Sequence, residues 1–236
     1  MKRFWDEARV EPAVGGLAVL LDGRPVRLPG GGALRVEGHA LAQALAAEWQ
    51  AAGGAKGRDF RPEDIPLTRL VGTAQEKVAP DPAPMVEGIA QYAASDLLCY
   101  RSEDPRLAAI EALEWDPWLE WSARELAAPL LLSHGIIHIT QPEASRLALR
   151  RAVAACDAFA LTALGNVVPP LGSLVLGLAF VRGELDAAEA FRISLVDETF
   201  QEEFWGVDEE AQKRRRLIAA EITLAERMLH LARIAA

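Results

Sequence analysis

The chain has 236 residues, 51% of them hydrophobic and 25% charged, so it is long enough to bury a core without disulfide or metal support. Its 25 Lys and Arg against 34 Asp and Glu give a formal net charge of −9, which repels nucleic acid and anionic lipid. No segment has the ~18 to 20 uninterrupted apolar residues that a membrane span requires. The composition predicts a globular protein with no nucleic-acid partner and no membrane insertion, and it excludes collagenous and disordered classes.

The expected compartment is the bacterial cytoplasm. Cys99 and Cys156 lie in apolar surroundings and fit neither a Cys-x-x-Cys motif nor a disulfide framework, which favours a reducing compartment. The first residues, MKRFWDEARVEP, contain acids and no apolar region behind the cations, so they do not resemble a targeting signal. Arginine and alanine are frequent while lysine is rare, a composition typical of GC-rich bacterial coding.

Short extended runs broken by turn residues predict strands over residues 4–37. Asp22-Gly23 follows the apolar run Leu17–Leu21 and precedes a second alternating run, the pattern of a hairpin whose turn needs positive φ. Apolar residues at spacing four, Leu41, Leu45 and Trp49, predict a first helix. A second helix is predicted over residues 66–78.

The clearest linker is the segment APDPAP at residues 79–84, since three prolines cannot lie inside a helix. We therefore predict an α+β protein with a small β-rich domain over residues 1–79 and a larger, mostly helical domain over residues 80–236. The apolar segment 171–181 should be its central helix. The predicted helices of this domain span residues 85–94, 105–115, 117–127, 142–155, 158–164, 171–181, 187–204 and 209–234, with extended segments over 97–101 and 135–140.

Patterns for catalysis, cofactors and metals fail on inspection. His134 and His138 are four residues apart, but the surrounding isoleucines indicate a strand and no nearby glutamate completes a zinc motif. The segment 53–57 contains glycines and Lys56 but follows a helix and lacks the Ser or Thr of a phosphate loop. We expect no enzyme activity, cofactor, metal ion or small-molecule substrate. The alternative is a small hydrolase or transferase with a site at the domain junction.

The most informative segment is 186–206, predicted as a helix that ends at Gly206. Its helical periodicity puts a core stripe on one face, Ile193, Val196, Phe200 and Phe204. A second face mixes apolar residues with carboxylates: Phe191, Leu195, Glu198, Glu202 and Trp205, bordered by Ser194, Asp197 and Gln201. Two interpretations stay open. One is a buried glutamate paired with an arginine such as Arg69, Arg124 or Arg182, and the other is a docking face for another protein.

Several segments in a fixed order resemble one family. They read RFW, GGLAVLLDGRPVRLP, AEW, IPLTRL, SDLLCYR, WDPWLEW, GSLVLGLA and VDETFQEEFWG, and they extend from Phe4 to about Gly206. Together they resemble the Atp-twelve family, the assembly chaperone of the alpha subunit of the ATP synthase catalytic head. The resemblance implies a β-rich domain, a helical domain and no catalysis or cofactor. It implies one client, the unassembled alpha subunit, protected from aggregation until the beta subunit covers its interface.

The resemblance also implies where the client binds. Alignment on Trp205-Gly206 places the functional acidic residue of the family at Asp197 or Glu198. The expected partner-binding residues are those of the mixed face, Asp197, Glu198, Gln201, Glu202 and Trp205. A structural or regulatory subunit that stays in the assembled ring is a further alternative, and stoichiometry after copurification would distinguish it from a chaperone.

Overall fold

The computed structural model describes residues 1–135, 137–206 and 208–234. A sheet of short strands lies within residues 8–36 and helices dominate the rest of the described chain, so the predicted α+β class is confirmed. The described chain forms two compact units, Met1–Asp81 together with the segment from Arg227, and Pro82–Glu226. The division into a β-rich domain over residues 1–79 and a helical domain over residues 80–236 stays a prediction.

A small antiparallel sheet opens the first unit. The strand β1 (Ala8–Ala13) pairs along one edge of β2 (Gly16–Leu21), whose other edge pairs with β3 (Arg24–Pro25) and β4 (Arg35–Val36). Asp22 and Gly23 have φ values of 47° and 80°, which is the backbone that the Asp-Gly hairpin predicted.

The core of this unit is aromatic and is closed by two helices, α1 (His39–Ala51) and α2 (Pro66–Thr73), with a π-helical turn over Ala74–Val78. The ring of Trp5 lies 5.2 Å from that of Trp49 and 5.3 Å from that of Phe60. The indole of Trp5 donates to the Trp49 carbonyl at 3.1 Å, so these rings are fixed by a hydrogen bond as well as by burial.

Two motif residues stabilise the ends of these helices. Arg3 is buried and donates to backbone carbonyls that include those of Gln50 and Ala52 at the end of α1. The carboxylate of Glu48 accepts from the N–H groups of Leu67 (2.6 Å) and Thr68 (2.8 Å) at the start of α2. The segments RFW and AEW therefore hold the first unit together.

The second unit is built around a buried helix. All residues of Leu174–Val181 are buried, which confirms the predicted central helix. A Cβ added at Gly177 would lie 2.4 Å from Val168 Cγ2, so this glycine permits close packing of two helices. The helices from residue 83 onward are α3 (Ala83–Ala90), α4 (Pro105–Glu125), α5 (Glu143–Ala154), α6 (Ala158–Leu171), α7 (Leu174–Arg182), α8 (Ala187–Ser194), α9 (Val196–Trp205) and α10 (Glu209–Arg233).

Two extended segments pair with each other. The strands β5 (Tyr100–Arg101) and β6 (Ser133–His134) form a short parallel pair. The first lies inside the predicted segment 97–101, whose earlier residues form a 3₁₀ turn. The second precedes the predicted segment 135–140, of which Ile136 lies outside the described residues.

Three predicted helix boundaries were wrong. The two helices predicted over residues 105–127 are one helix, Pro105–Glu125, since α4 continues through Pro117. Proline removes the hydrogen bond to the Leu113 carbonyl, but the Leu113 side chain is 76% exposed, so water can reach that side of the helix. The boundary between α6 and α7 was misplaced because Gly172 (φ 64°) ends α6 after its prolines, and the Ser173 hydroxyl caps α7.

The third error concerns the helix predicted over residues 187–204, which is broken at Leu195. The Ile193 carbonyl accepts a hydrogen bond from the indole N–H of Trp115 at 3.0 Å. In an unbroken helix this carbonyl would accept from the backbone N–H of Asp197. A contact from a distant part of the chain therefore interrupts a segment whose local pattern is helical.

No helix within the described residues is long and apolar enough to cross a bilayer.

Candidate functional site

The break at Leu195 sets the orientation of α9. Ile193, Val196 and Phe200 are buried, as predicted for the core stripe, but Phe204 is 55% exposed and does not belong to it. Asp197 and Glu198 lie in the first turn of α9, where unpaired N–H groups and the helix dipole favour carboxylates. The two acids that the sequence could not distinguish have different surroundings.

Asp197 forms a carboxyl pair with Glu111 of α4. Glu111 is 1% exposed, and Asp197 is half-buried. Each carboxyl group changes the pKa of the other through a side-chain interaction, so the two groups are neighbours. Glu111 Oε2 also accepts from the Ser102 N–H at 2.8 Å. Asp197 Oδ1 is buried and accepts no hydrogen bond from a donor among the described residues.

Burial changes the protonation of this pair. Loss of hydration, reinforced by the neighbouring Asp197, raises the pKa of Glu111 to about 7. Burial also raises the pKa of Asp197 above its usual range. Because the two groups interact strongly, they titrate as a coupled pair.

Arg101, the cation that acts on both acids, is already engaged. Arg101 of β5 is buried, donates to the Leu98 carbonyl at 2.6 Å and pairs with Asp116 at 2.5 Å. Its guanidinium also lies 5.2 Å from the ring centre of Trp115. Arg101 lowers the pKa of both acids without donating to either, and the motifs SDLLCYR and WDPW supply its partners.

The carboxyl pair opens onto a cleft of about 660 Å³ between β5, the start of α4 and α9. Three acidic side chains line it, Glu103, Glu111 and Asp197, together with the exposed Gln201. Among the described residues of its lining, the one cation is the engaged Arg101. This arrangement suits a basic side chain that enters from solvent, because it would supply the missing donor and the missing charge.

Glu198 and Glu202 point to another element. Glu198 Oε2 lies 3.0 Å from the guanidinium of Arg215 on α10, and Glu202 Oε1 lies 2.7 Å from it. The sequence left open a buried glutamate paired with an arginine. The structure has an ion pair here, but neither glutamate is buried and the arginine is none of the three named there. Gln201 borders the cleft with Asp197, and the side chain of Trp205 lies outside the described residues. The structure thus brings Asp197 and Gln201 together and turns Glu198 and Glu202 toward α10.

Apolar surface lies on the same two helices as the cleft. Arg106 of α4 covers the rings of Phe200 and Phe204, with its guanidinium 5.5 Å and 5.4 Å from their centres. Ile110, one turn further along α4, is 41% exposed. A partner that reaches the acidic cleft would therefore also meet apolar side chains.

Sequence reasoning missed Glu111, although a signal for it exists. Leu107, Glu111 and Trp115 follow each other at spacing four on one face of α4, and all three are buried. A carboxylate in the middle of an apolar stripe predicts a buried acid that needs a partner.

No group of three His, Cys, Asp or Glu side chains within residues 1–135, 137–206 and 208–234 is placed to hold a metal ion.

Comparison with known proteins identifies the family. The sequence model of the family described as ATP12 chaperone protein matches residues 2–123. The chain belongs to the ATP12 chaperone family. This family member is 23% identical over 224 residues to the mitochondrial protein atp12 of Schizosaccharomyces pombe, an alignment that covers 90% of this chain and 76% of the yeast protein.

Solved structures agree with this membership. The crystal structure of Atp12 from Paracoccus denitrificans superposes with a TM-score of 0.91 at 44% identity and covers 98% of both chains. A protein from Agrobacterium tumefaciens superposes with a TM-score of 0.86 at 35% identity, covering 97% of this chain and 85% of its own. The family member described here therefore shares its fold over nearly its whole length with bacterial relatives.

Proposed function

We propose that this protein is a chaperone, not an enzyme, that binds the unassembled alpha subunit of the ATP synthase catalytic head and promotes its assembly. Membership of the ATP12 chaperone family supports the chaperone role. The observation that carries the binding site is the carboxyl pair of Asp197 and Glu111, whose buried Oδ1 has no described partner. No observation on the described residues favours the alternative of a hydrolase or transferase.

The cleft suits a transient complex. An unassembled ring subunit exposes apolar interface that aggregates unless it is covered. Phe204 and Ile110 provide apolar area, while Asp197 attracts a basic side chain and sets the register of the complex. Charged groups also keep the unbound chaperone soluble and let another subunit displace it.

The other expected site residues have proposed roles around this cleft. Gln201 contacts the client beside Asp197, and Trp205 extends the contact toward the end of α9. Glu198 and Glu202 support the site by holding α9 against α10 through Arg215. No cofactor, nucleic acid or small-molecule substrate takes part. The relatives from Paracoccus denitrificans and Agrobacterium tumefaciens support a bacterial protein. Its proposed place of action is the bacterial cytoplasm.

The test is charge reversal at Asp197. Asp197→Lys should place a cation where the client brings one, and breaking such a desolvated pair typically costs about 2 to 5 kcal/mol of binding. Suppression of alpha-subunit aggregation, followed by light scattering, should therefore be lost. The melting temperature should stay near wild type, because the burial of Asp197 opposes its charge and Glu111 can pair with the new lysine.

The matched control is Glu203→Lys, which makes the same change of charge at an exposed position of the same helix. It should keep full protection, and Asp197→Asn should show an intermediate loss. Unchanged protection in Asp197→Lys would show that the client binds elsewhere. A collapsed melting temperature in both Asp197 variants would make Asp197 a structural residue.

A further inference from the structure

Glu111 and Asp197 form an arrangement that responds to an incoming cation. Glu111 is almost completely buried, yet its carboxyl group lines the cleft together with that of Asp197. Its one described backbone donor is the Ser102 N–H, and the described residues give Asp197 Oδ1 none. Below neutral pH, two neighbouring carboxyl groups with so few donors do not both ionise unless a positive charge joins them.

We propose that Glu111 and Asp197 share one proton in the unbound protein, and that this proton is released to solvent when the cleft receives a basic side chain of the client. The inference rests on the proposed function, because the client must supply that side chain. In the unbound state, the O–H of one carboxyl group donates to the other carboxylate. In the complex, the ammonium or guanidinium of the client donates to both carboxylates, and the proton leaves to the buffer.

The charged side chains around the pair do not supply the positive charge that the client would bring. Arg101 faces the pair from β5 but is bound to Asp116, and Glu103 adds negative charge from the segment before α4. On α9 itself, Glu198 opposes ionisation of Asp197 and is held by Arg215 of α10. Arg106 of α4 lies over the aromatic rings of α9. The pair is thus surrounded by acids and by cations that already have partners.

The direction in which pH changes client affinity follows from the linkage between binding and protonation. The client prefers the doubly ionised pair, so its dissociation constant should fall as pH rises and level off above the ionisation of the pair. The pKa of Glu111, raised to about 7 mainly by burial, places this change near neutral pH. With one proton released, the dissociation constant should fall by about three- to tenfold between pH 6 and pH 8.

Calorimetry with the purified alpha subunit tests the inference directly. Titrations at pH 6 in buffers of different ionisation enthalpy should report release of close to one proton per complex. Glu111→Gln should abolish both proton release and the pH dependence, because the amide keeps an acceptor for Ser102 and a donor for Asp197 but cannot ionise. Its affinity should equal that of the wild type at low pH. The control Glu120→Gln, exposed on the same helix, should behave as wild type.

A second measurement needs no client. Carboxyl carbon NMR of the unbound protein should show a titration near neutral pH that is absent in Glu111→Gln. Its midpoint should fall in Asp197→Asn, which removes the neighbouring charge. Client binding without proton release, or with the same affinity at pH 6 and pH 8, would overturn this inference alone. Absence of client binding at every pH would overturn the proposed function with it.

Discussion

Two buried carboxylate sites in the second unit differ in how their oxygens are satisfied. Asp96 is 0% exposed, and its Oδ1 accepts from the Leu98 N–H at 3.1 Å while Oδ2 accepts from the Val175 N–H at 3.0 Å. At the Asp197–Glu111 pair, one buried oxygen has no described partner and one proton must be shared. Asp96 therefore joins the starts of two helical segments, whereas the pair retains capacity for a group from outside.

A structural acid and a binding acid differ in how many hydrogen-bond donors surround their carboxylate oxygens. A carboxylate that is saturated by backbone N–H groups stabilises the fold and has nothing to offer a partner. The folded protein tolerates a carboxylate pair that lacks donors in an open cleft. A ligand that supplies those donors stabilises the pair. Asp96 and Asp197 both belong to motifs that carry the family resemblance, so the motifs alone do not distinguish the two roles.

The largest expected effect on stability is at Asp96. Asp96→Asn should lower the free energy of unfolding by about 2 to 4 kcal/mol, because the amide can accept at one oxygen only and its NH₂ then faces a buried N–H. Urea denaturation measures this loss. Asp157→Asn is the control, since Asp157 is exposed and caps α6 through Oδ1 alone, which an asparagine can also do. Equal losses in both variants would contradict the distinction.

The smallest expected effect is at the ion pairs between α9 and α10. Glu198 is 53% exposed at its side chain, so Glu198→Gln should change the free energy of unfolding by less than about 1 kcal/mol. Client protection should fall less than in Asp197→Asn, since Glu202 still holds Arg215. A larger loss of protection in Glu198→Gln at unchanged stability would assign the client contact to Glu198 instead.

Local signals in the sequence predicted most elements but not the site. The Asp22-Gly23 turn, the buried helix α7 and the α9 end at Gly206 follow from residues a few positions apart. The break before α9 depends on a hydrogen bond between Trp115 and Ile193, which no local pattern reveals. This break decides which acid reaches the cleft, so the sequence left Asp197 and Glu198 as equal candidates.

Which side chain pairs with each acid also depends on contacts between distant parts of the chain. The arginine that holds Glu198 and Glu202 is Arg215, because α10 packs beside α9. Glu111 could have been found from its position in the apolar stripe of α4, but its pairing with Asp197 depends on how α4 and α9 meet. Secondary structure followed from periodicity, while the chemistry of the site followed from tertiary packing.

The most direct test of the proposed cleft is photo-crosslinking from its edge. A photoreactive amino acid at Gln201, which is exposed and borders Asp197, should crosslink to the unassembled alpha subunit. The same group at the exposed Lys213 on α10 should not, and Asp197→Lys should remove the Gln201 crosslink. Efficient crosslinking from Lys213 but none from Gln201, in a protein that still prevents aggregation, would contradict the account.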